Sequence, residues 1–112
     1  MREIKEYIRN KKNNNVIRLD IGGELKHYPI LSFDYNITYN RSLNHLFIST
    51  NQLTIKTNDS NLILLLSEIN FTCKYNIYID NKEFYGCFVS SYTEQQNNIK
   101  EFTISVDFSI IN

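Results

Sequence analysis

Positions 31–39 alternate strictly between apolar and polar residues, and this pattern limits the possible folds of the chain more than any other feature. The odd positions hold Leu, Phe, Tyr, Ile and Tyr, and the even positions hold Ser, Asp, Asn and Thr. A two-residue period puts all the apolar side chains on one face of a β-strand. Positions 102–110 repeat the pattern with Phe, Ile, Val, Phe and Ile. The two runs predict long strands, each with one buried face.

Composition favours a sheet protein of one domain. The chain has 112 residues, enough for one hydrophobic core, and it lacks Ala, the residue that favours helices most. Lys plus Arg number 12 and Asp plus Glu number 12, so the formal net charge is zero. A protein that coats DNA or RNA needs a basic excess. We therefore do not expect nucleic acid as a specific ligand.

Positions 16–30 predict a β-hairpin that turns at Gly22-Gly23. A two-residue loop would mix apolar and polar residues on each face. A three-residue loop opposes Ile21 to Leu25 and keeps one face apolar. The sequence therefore favours the three-residue loop.

The middle of the chain predicts a loop and then a helix. Positions 40–52 are irregular and predict a loop with a short strand inside it, and a brief strand over 53–57 follows. After the capping residues at 58–60, Leu and Ile at helical spacing predict a buried helix over about 60–69. A buried strand is the alternative for so short an apolar run. The fold class expected is mainly β: an antiparallel β-sandwich or small barrel with one short covering helix.

Residues 1–15 predict an N-terminal arm on a single β-rich domain of residues 16–112. Ile4, Tyr7 and Ile8 have the spacing of one helical stripe, which predicts a short helical arm. Two turns of isolated helix are marginal in water. The arm is therefore either a solvated tail or a helix that docks on a neighbouring subunit.

The two cysteines predict free thiols. A second hairpin over 71–92 turns Cys73 towards the inner face and Cys87 towards the outer face. Cysteines on opposite faces of one sheet cannot be joined without movement of the backbone. We therefore expect no disulfide.

No group of residues in the sequence has the pattern of a catalytic site. The spacing of Cys and His matches no zinc motif, and the three glycines form no phosphate-binding loop. The carboxylates fall mostly at turns and on polar strand faces, where solvated side chains are ordinary. The sequence therefore predicts no catalytic site, no metal and no cofactor, and a protein that is not an enzyme.

Tyr78 and Tyr85 are predicted to be cross-strand neighbours on the outer face, close to Lys74 and Lys82. Exposed aromatic rings beside basic residues can stack on the bases of single-stranded nucleic acid. A packing pair on a covered or subunit-facing sheet surface explains the same residues. The zero net charge favours this second interpretation.

The order of the elements carries a family resemblance. The sequence IRLDIGGE at 17–24 gives a strand, a glycine turn and a strand. The alternating strand at 32–40, the short strand, the helix, a hairpin and the final FTISVDFSI strand follow. This order over about 16–111 resembles small phage tail-tube and baseplate proteins and their type VI secretion relatives. The resemblance implies a β-sandwich or barrel with one helix. The loop at 40–52 is shorter than the long loop between rings that the resemblance implies for a full tube subunit. Its length fits an adaptor, tube-initiating, completion or baseplate component.

The function expected is that of a structural assembly protein of a phage tail or related injection machine, which acts through subunit–subunit contacts. Its partners would be copies of itself in a homo-oligomeric ring, or neighbouring tail proteins, because open sheet edges must be paired or covered. The predicted interaction residues are Ile4, Tyr7, Ile8, Arg41, His45, Phe47, Tyr78 and Tyr85. The alternative is a small phage or bacterial binding protein that blocks a host defence or an enzyme.

The location expected is the virion, or the host cytoplasm before assembly. The N-terminal sequence lacks the apolar region of a signal peptide. The longest apolar run is far shorter than the roughly 20 residues needed to cross a bilayer. The sequence thus predicts neither secretion by a signal peptide nor a membrane segment.

Overall fold

The computed structural model describes residues 2–10, 15–68 and 74–111, and it describes side chains from residue 15 onward within those ranges. The described residues form nine strands and one helix. In chain order these are β1 (Arg2–Asn10), β2 (Asn15–Ile21), β3 (Glu24–Ile30), β4 (Ser32–Ser42), β5 (His45–Thr57), α1 (Ser60–Glu68), β6 (Tyr75–Ile79), β7 (Lys82–Glu94), β8 (Lys100–Ser105) and β9 (Phe108–Ile110).

All the strand pairs are antiparallel, and the order across the sheet is β1-β4-β5-β8-β7-β6-β2-β3, with β9 paired to β7. The first part of β7 pairs with β6 and β9, and its last part pairs with β8, so β7 joins two halves of the sheet. The prediction of a mainly β, antiparallel fold is confirmed. The sheet is not closed, so the small barrel is not formed.

The two halves of the sheet share one hydrophobic core. The ring of Tyr35 on β4 lies 4.9 Å from that of Phe84 on β7, in an edge-to-face contact. Removing such side chains from water is the main favourable contribution to folding. The largest fully buried side chains come from both halves and from α1: Tyr35, Phe33, Phe84, Phe102, Ile17, Leu19, Leu53, Ile55, Leu62, Leu66, Ile77 and Ile79.

The N-terminal segment forms a strand where the sequence predicts a helical arm. β1 runs antiparallel to β4 along its length, from Arg2 opposite Arg41 to Asn10 opposite Phe33. The helical arm is therefore not supported. The physical reason is that a helix of two turns is only marginally stable by itself. Pairing with the edge of β4 instead gives the backbone groups of β1 and β4 hydrogen-bond partners.

The β2–β3 hairpin has a two-residue turn, so the predicted three-residue loop is wrong. Ile21 pairs with Glu24, and Asp20 pairs with Leu25. The φ angles of Gly22 and Gly23 are 61° and 83°, and two positive φ angles in a row make the tight turn whose twist matches the strands. Mixing the faces costs little here, because Leu25 remains about half exposed.

The segment at 40–52, predicted as a loop, is a β-hairpin. β4 and β5 pair without interruption up to Ser42 and His45, apart from a bulge after Thr38. Leu43 and Asn44 form the turn, with φ angles of 49° and 68°. Asn adopts positive φ readily, whereas Leu does so at a cost. The turn extends the two long strands beyond the core.

A bulge at Gly86 reverses which residues of β7 face the core. Tyr75 pairs with Cys87, whereas Ile77 pairs with Phe84, so the register shifts by one residue between them. Gly86 has a φ of 65°, and a Cβ there would lie 2.2 Å from Oδ2 of Asp107. A side chain at this position would thus meet both strain and a clash.

Cys87 consequently lies on the inner face, and its predicted outer position is wrong. The side chain is fully buried and its thiol is free. Burial, and to a smaller extent the nearby Asp107 carboxylate, raise the pKa of the Cys87 thiol to about 12. Such a thiol is unreactive in the folded protein. Cys73 lies outside the described residues.

The predicted helix is confirmed as α1, which ends at Glu68, while Ile69 lies outside the described residues. The carboxylate of Asp59 accepts a 2.9 Å hydrogen bond from the backbone N–H of Leu62 and so caps the first turn. Leu62 and Leu66 are buried. No helix in the described part of the chain is long and apolar enough to cross a membrane.

The final alternating run is two strands, β8 and β9, with a break at Val106–Asp107. A buried polar network fixes the break. The Tyr35 hydroxyl donates to Oδ1 of Asn51 and lies 2.7 Å from the Ser109 hydroxyl. The backbone carbonyl of Asn51 accepts a hydrogen bond from the N–H of Val106. The side-chain amide of Asn51 donates a hydrogen bond to the backbone carbonyl of Asp107. The break lets the chain pass from β8 on one half of the sheet to β9 on the other.

Candidate functional site

The end of the β4–β5 hairpin, residues 41–48, holds four of the eleven exposed large hydrophobic residues in the described chain, and we call it the hairpin tip. Arg41 pairs with Leu46, and Asn40, just before the tip, pairs with Phe47. Arg41, His45 and Phe47, three of the predicted interaction residues, therefore lie together at this end of the hairpin. All three are exposed.

The apolar side chains of the hairpin tip point to both faces of the hairpin. Leu46, Phe47 and Ile48 are consecutive, and each is about half exposed. Leu43 in the turn is 90% exposed, the highest value among the large hydrophobic residues described. Contiguous exposed apolar residues are uncommon on monomers and are typical of interaction surfaces.

The base of the hairpin holds the tip in position. Ser49 donates its hydroxyl to the backbone carbonyl of Thr38. Below this point the strands enter the core, where Ile37 and Leu53 are buried. On the other side of β4, β1 pairs as far as Arg41. The tip is thus a projection of a hydrogen-bonded sheet.

Tyr78 and Tyr85 form the second candidate surface, which we call the aromatic face. Their ring centroids lie 6.1 Å apart at right angles, so the two rings are neighbours. They are not directly opposite each other, because Tyr78 pairs with Glu83 and Tyr85 pairs with Phe108. Phe108 of β9 stacks on Tyr85 at 4.7 Å. The guanidinium of Arg18 on β2 lies 5.7 Å from the Tyr78 ring, within range of a cation–π interaction. The three rings and the Arg18 side chain thus form one row across β2, β6, β7 and β9.

Two carboxylates interact with residues of the aromatic face or close to it. The hydroxyl of Tyr85 donates to the Glu83 carboxylate, and this hydrogen bond is the main reason why the pKa of Tyr85 rises to about 12. Lys74 forms an ion pair with Asp107 at 2.8 Å. A groove that binds single strands needs cations free to meet phosphates. The Lys74–Asp107 pair leaves one cation fewer on this face to meet a phosphate.

An open groove of about 500 Å³ adjoins the aromatic face, between the β2–β3 turn and the β6–β7 turn. Arg18 crosses it and donates to the backbone carbonyl of Asp80 at 3.4 Å. Carboxylates and an aliphatic side chain line the rest. This mixture fits the rim of a protein contact better than a pocket for one small molecule. The lining of the groove includes Arg18, Asp20, Leu25, Tyr78 and Glu83.

The remaining predicted interaction residues, Ile4, Tyr7 and Ile8, lie in β1, opposite Tyr39, Asn36 and Tyr35 in the backbone register. Their side chains are outside the description. The structure therefore divides the predicted set into three groups, on β1, on the hairpin tip and on the aromatic face.

Sequence reasoning missed several residues of both surfaces. Leu43, Leu46 and Ile48 complete the hairpin tip. The signal for Leu46 and Ile48 was the apolar run at 46–48 without alternation, and Leu43 had no such signal. Phe108 was assigned to an inward-facing row of the last strand, but the break at Val106–Asp107 leaves it exposed. No pattern in the sequence marks that break.

Searches with this chain against protein-family models, curated proteins and solved structures find no match.

Proposed function

We propose that this protein is a structural assembly component that acts through protein–protein contacts, in a phage tail or related injection machine. Its partners are copies of itself, as in a homo-oligomeric ring, or neighbouring tail proteins. The core shared by the two sheet halves supports the β-sandwich form of the fold expected for such a component. We place the protein in the virion, or in the host cytoplasm before assembly.

The hairpin tip is the observation that carries this proposal. Leu43, Phe47 and Ile48 remain exposed although the same two strands bury Phe33 and Ile55 a few residues away. Exposed apolar side chains at the end of a long hairpin contribute a favourable hydrophobic free energy only when another surface covers them. A covering partner therefore explains why these positions are apolar.

No reaction belongs to the proposed role. The candidate surfaces consist of apolar and aromatic side chains with paired charges. Such surfaces supply contact area and specificity, and the central aromatic and aliphatic side chains carry most of the binding free energy. Neither a metal nor a cofactor is part of the proposal.

Light scattering of the full chain across a concentration series tests the proposal, with negative-stain imaging of the same fractions. We expect discrete oligomers or rings whose mass falls in the variant Phe47→Ser. Tyr92→Ser is the matched control and should leave the mass unchanged, because it removes a ring of similar exposure that lies outside both candidate surfaces. A mass that is the same in wild type and Phe47→Ser would contradict a role of the hairpin tip in assembly.

The second candidate is a small binding protein that blocks a host defence or an enzyme. The groove beside Tyr78 favours it, because a mixed apolar and charged concavity is suited to a protruding loop of another protein. This candidate predicts a monomer or dimer at every concentration. A monomer unaffected by Phe47→Ser would therefore favour it over the assembly component.

A further inference from the structure

Strand β3 has an open edge over residues 24–28. In the sheet order β3 comes last, and β2 is the strand with which it pairs. Its far end is covered by β5, because Thr57 donates to the carbonyl of Pro29 at 3.0 Å and Leu31 donates its N–H to the carbonyl of Lys56. The part near the turn has no such cover among the described residues.

The backbone of β3 presents its free groups at Leu25 and His27. Ile21 and Glu24 flank the two-residue turn and so form a hydrogen-bonded pair. Hydrogen-bonding direction alternates along a strand, so the N–H and C=O groups of Leu25 and His27 point away from β2. Pro29 continues this series, and a proline without an N–H is tolerated at an outer edge.

Glu24 and Lys26 stand on one face of β3, and both are exposed. Their cross-strand neighbours on β2 are Ile21 and Leu19, which cannot pair with a charge. A strand added at the open edge would be the next cross-strand neighbour of both residues. The charges of the added strand opposite Glu24 and Lys26 therefore determine whether pairing is favourable, because charged edge strands resist unspecific pairing.

We propose that β3 pairs antiparallel with β3 of a second copy of this chain, about a two-fold axis at Leu25. In this register Glu24 of each copy lies opposite Lys26 of the other, so two equivalent Glu–Lys ion pairs form. The two Leu25 residues oppose each other and exchange both backbone hydrogen bonds. The interface is isologous, since each copy contributes the same segment.

The charges select this register over its neighbours. An axis at Lys26 would set the two Lys26 side chains directly opposite each other, and like charges in that position are destabilising. An axis at His27 would bring Leu25 opposite Pro29, which has no N–H and whose carbonyl already accepts from Thr57. Of these three registers, the axis at Leu25 is the one that gives both attractive charge pairs and paired backbone hydrogen-bonding groups.

This inference rests on the proposed function in one respect: both assume that the protein acts by contacting other chains. It uses a different surface, because the β3 edge is separate from the hairpin tip. The two-fold contact would leave the tip available for another partner. The two ideas can therefore fail independently.

A charge-swap series measured by sedimentation equilibrium tests the pairing. The full chain carries Phe47→Ser throughout, so that assembly through the hairpin tip does not contribute. Glu24→Lys and Lys26→Glu each replace two attractive pairs by two repulsive ones, and we expect dimerisation to weaken about tenfold. The double variant Glu24→Lys/Lys26→Glu restores the attraction and should dimerise like the parent. Glu68→Lys, at the end of α1, is the control for net charge.

Oxidative cross-linking then identifies the register. Paired residues in an antiparallel ladder lie about 5.5 Å apart, within the range of a disulfide. We expect Leu25→Cys to form a link between two copies of residue 25, which peptide mapping separates from links of Cys73 or Cys87. Lys26→Cys should link poorly.

A chain that stays monomeric at every concentration in the Phe47→Ser background, with no link between the two copies of residue 25, would overturn the proposed pairing. So would a dimer that both single charge variants leave unchanged. Neither result bears on the hairpin tip, whose test is the response of the wild-type mass to Phe47→Ser.

Discussion

The base and the tip of the β4–β5 hairpin are made of the same two strands, yet they face opposite environments. At the base, Tyr35, Leu53 and Ile55 alternate with polar residues and are almost completely buried. At the tip, Leu46, Phe47 and Ile48 are consecutive and exposed. The difference teaches that apolar composition alone does not define a core. A side chain is buried only where another layer of the protein lies over it.

Ile55→Ala should give the largest effect on stability. Ile55 is fully buried, and its truncation loses apolar contacts and leaves a cavity. We expect the free energy of unfolding to fall by about 2–5 kcal/mol, measured by chemical denaturation. Ile48→Ala, on the same strand at the tip, is the matched control and should change it by less than about 0.5 kcal/mol. Equal losses in the two variants would break the comparison of base and tip.

Tyr35→Phe should give the next largest effect. The Tyr35 hydroxyl bonds Asn51 and lies within hydrogen-bonding distance of Ser109, so its removal leaves the buried Asn51 oxygen without that donor. We expect a loss of about 1–3 kcal/mol in thermal or chemical unfolding. Tyr92→Phe removes a hydroxyl from an exposed ring and serves as the control. An unchanged stability would mean that the network does not hold the base of the hairpin.

Tyr75→Phe should act in the opposite direction. The Tyr75 hydroxyl is buried and finds no hydrogen-bond partner among the described residues. Burial also raises the pKa of Tyr75 well above its ordinary value. Removing an unsatisfied buried hydroxyl should raise the free energy of unfolding by about 1 kcal/mol. A loss of stability instead would show that this hydroxyl is satisfied in solution.

Leu43→Asn should give a small gain in stability, of about 0.5 kcal/mol. Leu43 adopts a φ of 49° and is 90% exposed, so Asn loses little packing and tolerates the backbone better. If Leu43 is kept for its contact with a partner, the same variant should also weaken assembly in light scattering. A variant that is more stable and assembles normally would remove Leu43 from the proposed contact surface.

Periodicity predicted those parts of the fold in which one layer covers one face. The alternation at 31–39 anticipated β4, and the spacing of Leu62 and Leu66 after a capping Asp59 anticipated α1. The neighbouring positions of Tyr78 and Tyr85 were also anticipated. These predictions use contacts between residues close along the strand, the helix or the hairpin, and such contacts can be counted in the sequence.

Predictions failed where one residue changed the phase of the pattern. The bulge at Gly86 moves Cys87 from the outer face to the core, and the break after Val106 brings Phe108 to the surface. At Gly22-Gly23, the backbone geometry of the turn outweighed the separation of apolar from polar faces. In each case the backbone conformation at one or two positions changes the face assigned to the residues that follow it in the same strand.

The sequence by itself determined that this protein is an antiparallel sheet with one helix, because hydrophobic periodicity and the cap of α1 are local properties. The tertiary structure decided which apolar residues remain exposed. The exposure of the hairpin tip, the row of rings at Tyr78 and the open edge of β3 depend on the order of the strands. That order is set by contacts between segments far apart in the chain, which no local pattern encodes.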